Sequence, residues 1–286
     1  MKKNVWALGN RTISGEVDRV YAAGNLEINE ANIKKMRVAG EININDSYIN
    51  KLNVVGNIDS VNSNFGDFKA VGNIEIKGHS KALTFMLTGI LKAEFLECDV
   101  LRNSIRGVVA KSSNILAYKG FFKAKTFENL YPFNMSCEFQ FNNIISATLL
   151  QYNGMLECER FYSFEEIQAE GVNAEFIYIK PSKKINIASI FGSKIIISNN
   201  FKGDKEFEML PMTMSLNSYR RNNKKKGSIM SVKEIEGDKI EVEYVKADYI
   251  SGIDVVIGDL CIIEKVEYKN SIKISEKAVV NEVIKL

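Results

Sequence analysis

The sequence predicts an all-β chain wound as a parallel β-solenoid, and three observations carry that prediction. Four glycines, Gly24, Gly40, Gly56 and Gly72, recur at intervals of 16 residues. Other columns travel with them: Ala23, Ala39, Val55 and Val71 just before, Leu26, Ile42, Ile58 and Ile74 two places after, and Val20, Met36, Leu52 and Phe68 four places before. Within a copy the apolar positions alternate, as in Val38, Gly40, Ile42 and Ile44, which is strand periodicity with no apolar face at helical spacing.

A repeat this short cannot bury its own side chains, so each copy must stack on its neighbours. Sixteen residues of strand cover roughly 50 Å, enough to close one coil of about three short strands. The glycines are expected at corners with positive φ, where a Cβ is penalised. Each coil then hydrogen-bonds to the coils on either side, about 4.8 Å away. Leucine-rich and helical repeats are longer and carry other signatures.

In chain order, residues 1–12 read as a lead-in, with Trp6, the only tryptophan, as a plug for the first coil. Residues 13–200 read as the main solenoid segment, clean to Gly78 and less regular beyond, with Gly89 and Gly107 continuing the glycine column. The aromatic stretch Phe121 to Phe141 suggests enlarged or interrupted coils, and Glu165 to Glu170 a short helical turn. Residues 201–230 read as a linker or arm holding Pro211, Met209, Met212 and Met214, and the basic run Arg220 to Lys226. Its seven basic and three acidic residues give +4, against +3 for the whole chain, so basicity is local to the arm. Residues 231–286 read as a short second solenoid segment. The passage Ile190 to Ile197 matches Ile235 to Val242 around Gly192 and Gly237. A 17-residue step sets Ile240, Ile257 and Ile274 in one column, Val245, Ile262 and Val279 in a second, and Tyr249, Val266 and Val283 in a third.

The residues Glu236 to Tyr244, Val255 to Gly258, Cys261 and Val266 to Tyr268 resemble the C-terminal region of the bactofilin-related, polymer-forming cytoskeletal proteins of Gram-positive bacteria. The upstream Gly-Asn-Leu/Ile-Glu-Ile copies resemble that family's stacked repeat. The resemblance covers Ile13 to Gly78 and Ser231 to Leu286 well, Gly171 to Asn199 less so, and Phe121 to Gly154 poorly. It implies a right-handed β-helix that polymerises without nucleotide and acts as a scaffold, together with itself or with related scaffold proteins. The irregular middle and the basic arm depart from the family pattern.

Chemistry-bearing motifs are sparse. The single histidine, His79, follows Gly78 and reads as a solvated turn residue. One histidine excludes a three-histidine metal site within one chain, and no nucleophile elbow supports a triad. No phosphate-binding glycine loop occurs, so no cofactor or metal is expected. The cysteines Cys98, Cys137, Cys158 and Cys261 lack CxxC spacing and read as small core residues of a reducing cytoplasm. Left-handed hexapeptide acyltransferases favour 18-residue coils, against steps of 16 and 17 here, and Val256 to Ile263 resembles one hexapeptide pair only superficially. Glu27, Asp59 and Glu75 share a column three places after the glycines, which fits a charged outward ladder better than the carboxylate pair of a glycosidase.

No enzyme is expected. The exposed end of a solenoid presents unpaired N–H and C=O groups. Val283, Ile284 and Leu286 are therefore the candidate assembly edge. Arg220, Arg221, Lys224, Lys225 and Lys226 fit either a solvated loop or contact with an anionic partner, the inner face of a membrane before nucleic acid. The sequence thus predicts a cytoplasmic, non-enzymatic, self-assembling scaffold, with a non-polymerising solenoid adaptor for a partner protein, anionic membrane or nucleic acid as the alternative.

Overall fold

The structure, a computed structural model, describes residues 4–104, 116–200, 205–212 and 228–286. They are mostly strand, joined by short turns, with a five-residue helix at Lys205–Met209. The chain divides into two compact units, Met1–Phe141 and Asn142–Leu286. Each is a β-solenoid whose coils pair in parallel, as the repeat predicts.

In the first unit the 16-residue step holds from Leu26–Ala39 to Lys77. Val20 pairs with Met36, Met36 with Leu52, and Leu52 with Phe68. These four side chains and Phe85 are fully buried, and Phe68 stacks on Phe85 with ring centroids 4.0 Å apart. Complete burial of each such side chain contributes about 1.5–3 kcal/mol, and the ladder repeats it in every coil. A second column, Leu26, Ile42, Ile58 and Ile74, is also buried. Winding begins earlier than the expected lead-in: Asn4–Leu8 already pairs with Arg19 to Ala23 at a 15-residue step. Trp6 therefore does not plug the coil. It points outward, 72% exposed, and stacks on Tyr21 at 4.6 Å.

The glycine column forms the corner the sequence predicts. The Gly40 N–H donates to the Val55 carbonyl and the Gly56 N–H to the Val71 carbonyl, at 3.0 and 2.9 Å. Gly56 has φ +147°, and a Cβ there would overlap the carbonyl of Gly40. Both constraints exclude a side chain. A second corner escaped the sequence reading. Glu30, Asp46, Asn62 and Gly78, six places after each glycine, all have positive φ. Behind it Ser47 and Ser63 are buried: the Ala31 N–H donates to the Ser47 hydroxyl at 3.0 Å and the Ser47 N–H to Ser63 at 3.2 Å. Each hydroxyl donates in turn to a carbonyl two residues back, Asn45 and Val61. The serines thereby satisfy backbone groups that the bend removes from the ladder.

Enlargement lies before the aromatic stretch rather than within it. Leu91 pairs with Tyr118, a step of 27 residues, whereas Leu116 pairs with Phe133, a step of 17. Tyr118, Phe122, Phe127 and Phe133 then fill an ordinary buried interior. Gly107 lies outside the described residues.

In the second unit, Met155–Ser163, Gly171–Ile179, Ser189–Ile197, Met230–Val242, Val245–Ile257, Ile262–Ile274 and Val279–Lys285 stack in that order. The matched passages at Ile190 and Ile235 prove to be direct neighbours, with Gly192 on Gly237 and Ile195 on Ile240. The arm therefore interrupts one coil of a continuous ladder and does not join two solenoids. Beyond it the 17-residue step holds only for the last coils, as in Val266 on Val283. The first step is 15, with Ile240 on Val255 and Ile235 on Ile250, so Ile240 and Ile257 do not share a column. No helical turn forms at Glu165 to Glu170, where Ile167–Gln168 is a strand with Ile167 buried.

Gly56→Ala should lower stability by about 3 kcal/mol or more, combining backbone strain with overpacking. Gly9→Ala is the control, because Gly9 has positive φ but open space around it, and about 1–2 kcal/mol is expected there. Thermal denaturation of both variants reads the difference directly.

Candidate assembly and binding surfaces

The last coil of the second unit leaves core positions uncovered. Val255, Ile257, Ile263 and Val266 are at most 1% exposed in their coil. Their register partners one coil on are Ile272, Ile274, Val280 and Val283. Of these, Ile274 is 42% and Val283 45% exposed. Among the described residues, Val279–Lys285 has a strand partner on one side only, Ile262–Ile274. Of the three edge residues named from sequence, Val283 continues the core column. Ile284 stands over Glu267 on the outer face, and Leu286 is exposed with its N–H donating to the Tyr268 carbonyl at 2.8 Å. Ile274 and Val280, which sequence reasoning missed, belong to the same apolar end. The first coil of the first unit differs, since Val5, Ala7, Ile13 and Val17 are all buried.

The column Glu27, Asn43, Asp59 and Glu75 is continuous in register and lines a groove of about 800 Å³ on the first unit. Asn25, Asn57 and Asn73 line its other side, with Arg11 and Lys92 at the margins. Glu27 accepts a hydrogen bond from the Thr12 hydroxyl at 3.2 Å. The groove is a row of amides and carboxylates at the coil spacing of about 4.8 Å. It offers hydrogen-bond donors and acceptors, which suits polar ligands.

The arm is anchored where the sequence left it loose. Phe207, in Lys205–Met209, is fully buried and meets the ring of Tyr162 edge-on at 4.7 Å. Met209 is 81% exposed. The signal was present upstream: Phe161 and Tyr162 are both buried, as are Ile177 and Tyr178, so both faces of this sheet are covered. Arg220, Arg221, Lys224, Lys225 and Lys226 lie outside the described residues.

The remaining candidates are structural. His79 is exposed, but it sits on a strand and packs against Phe95 at 4.2 Å. All four cysteines are free, with Cys98 and Cys261 buried. Burial pushes the Cys137 thiol up to about 11 and the Cys158 thiol up to about 12, so neither is a nucleophile at neutral pH. Among the described residues no group of three or more histidine, cysteine or acidic side chains is placed to hold a metal. No helix among them is long and apolar enough to cross a membrane.

One polar cluster flanks the last coils. Glu267 accepts from the Tyr249 hydroxyl at 2.7 Å and pairs with Lys265 at 2.8 Å, which holds its carboxyl below the usual range. Glu236 is displaced the other way: burial first, then a hydrogen bond and repulsion from Glu234, raise it.

No family model, no curated protein and no solved structure matches this chain.

Because folding raises the Glu236 pKa, the folded protein holds that proton more tightly than the unfolded chain. Its penalty is therefore full above the folded pKa and relieved as pH falls through it. Glu236→Gln should stabilise the fold slightly at pH 7, by about a few tenths of a kcal/mol after solvent screening, read as a small rise in melting temperature. The gain should shrink as pH falls to about 4, near the ordinary glutamate range. Paired melts at the two pH values measure it.

Proposed function

We propose that this chain is a non-enzymatic, self-assembling scaffold of the bactofilin-related type, whose copies join through the last coil without nucleotide. The observation that carries this reading is the exposed core of that coil: Ile274 and Val283 stand open where Ile257 and Val266 are sealed. Such a surface combines an apolar patch with a row of unpaired backbone groups, so a matching coil from another copy satisfies both. Like meeting like gives a two-fold contact between identical ends, and a second contact of the same kind at the other end of each copy extends the pair into a non-polar filament.

We keep as the alternative a non-polymerising adaptor that binds a partner along its side. The open groove lined by Asn25, Asn57, Asn73, Asp59 and Glu75 supports it. Location follows from the scaffold proposal and the family resemblance, which put the protein in the cytoplasm.

Val283→Asp and Ile274→Asp separate the two. A carboxylate trapped in the joint costs about 3–5 kcal/mol. The concentration needed for assembly should therefore rise by about a hundredfold or more. Analytical ultracentrifugation should show the large species lost, with circular dichroism and melting nearly unchanged. An unaltered size distribution in both variants would sink the scaffold and leave the adaptor.

A further inference from the structure

One face of the first unit carries a chemistry that neither assembly through the last coil nor the acidic groove uses. It is built from the strands ending at each glycine corner, and its outward residues fall into three columns. The first holds Arg19, Lys35 and Lys51, followed by Asp67. The second runs Trp6, Tyr21, Arg37, Asn53 and Lys69 in register. The third, beside the glycines, runs Leu8, Ala23, Ala39, Val55 and Val71. The three columns therefore hold five cations and one carboxylate, Asp67. Asp67 is 3.7 Å from Lys51, and Arg19 lies 3.9 Å from Asp18 on its own strand. Among the described residues, Lys35, Arg37 and Lys69 have no carboxylate within salt-bridge distance.

The apolar part is equally unpartnered. Leu8 is 91%, Trp6 72% and Val55 62% exposed, and Tyr21, Ala39, Val55 and Val71 line a shallow, mostly apolar depression between Arg37 and Lys69. Like charges opposite one another in a parallel ladder repel, so Arg19 over Lys35 costs stability in water. An anionic surface removes that cost. Across the glycine corner the sign reverses, with Glu27, Glu41, Asp59 and Glu75 lining the groove.

We infer that this face is a peripheral docking surface for an anionic lipid bilayer. The three columns match the layers of such a surface. Lys and Arg meet the acidic headgroups, the Leu8 to Val71 column settles against the acyl boundary, and the stacked Trp6 and Tyr21 rings lie at the interface, where amphipathic aromatics are enriched. Charge complementarity selects the bilayer, and the aliphatic column selects it over nucleic acid. A polyanionic duplex would use the five cations but would press phosphates against Leu8, Val55 and Val71.

The 286-residue chain supplies its own probe, because Trp6 is its single tryptophan. Vesicles of phosphatidylcholine alone and of phosphatidylcholine rich in phosphatidylserine would be titrated while emission and co-flotation are followed. The anionic vesicles alone should shift Trp6 emission to the blue and carry the protein upward, and salt should reverse both. Arg37→Glu with Lys69→Glu should weaken partitioning about tenfold or more, each cation being a substantial part of the attraction. Leu8→Ser with Val55→Ser, which keeps every charge, should weaken it as well. Melting curves confirm that the variants fold. Flotation without a Trp6 shift, or flotation that both pairs leave intact and Arg220→Ser, Arg221→Ser and Lys224→Ser abolish, would overturn the assignment in favour of the arm. No flotation, with retention on duplex DNA lost in Arg37→Glu/Lys69→Glu, would overturn it in favour of nucleic acid.

Discussion

In each unit the inner coils among the described residues satisfy their ladder hydrogen bonds through the coil on either side. That constraint governs the rest. It forces strands to pair in parallel and in register, so a side chain in one coil dictates the kind of side chain that fits in the next. Met36, Leu52 and Phe68 grow larger along their column, yet each remains fully buried. It also fixes the glycine corner, where the chain turns so tightly against the neighbouring carbonyl that the Cβ position is already occupied. Single extra residues are taken up as bulges within strands, and long insertions fall between them. The steps of 27 residues at Leu91 and 45 residues at Ile190 both return to the ladder with the next strand in parallel register.

The parts legible in the sequence are those that repeat for a steric reason. Gly24 to Gly72 and the two core columns are visible because the same exclusion acts in each coil. The second corner is less legible, because Glu30, Asp46, Asn62 and Gly78 share a backbone conformation and not a side-chain type. Glycine, asparagine and aspartate tolerate that conformation readily, and Glu30 hides the pattern. Trp6 misled for another reason: an aromatic near a solenoid end is expected inside, but alternation puts Val5 and Ala7 inward and Trp6 outward. The step of 15 after the arm was lost because Ile240, Ile257 and Ile274 happen to be isoleucines at even spacing, while strand pairing sets Ile240 on Val255.

The candidate surfaces were less legible than the fold. Val283 could be named because it continues an apolar column. Ile284 was named with it, although a period of two must send adjacent residues to opposite sides, and Glu267 beneath it marks the outer face. Ile274 lies in the preceding strand, and only the closing of the coil brings it to the same end. The basic and aliphatic face of the first unit could not be seen in a linear count of charge. Its cations come from successive strands, one or two per coil, and are dispersed along the sequence among acidic residues that face elsewhere.

The second unit has an open last coil, and the first has a polar groove on one side of its glycine corner and a cationic, aliphatic face on the other; these are surfaces suited to joining other molecules. The scaffold proposal rests on the open end, and its most direct test is negative-stain electron microscopy of the purified protein without nucleotide, across salt and concentration. Filaments or sheets that lengthen with concentration are the predicted result. Discrete monomers or dimers at every concentration and salt would contradict it.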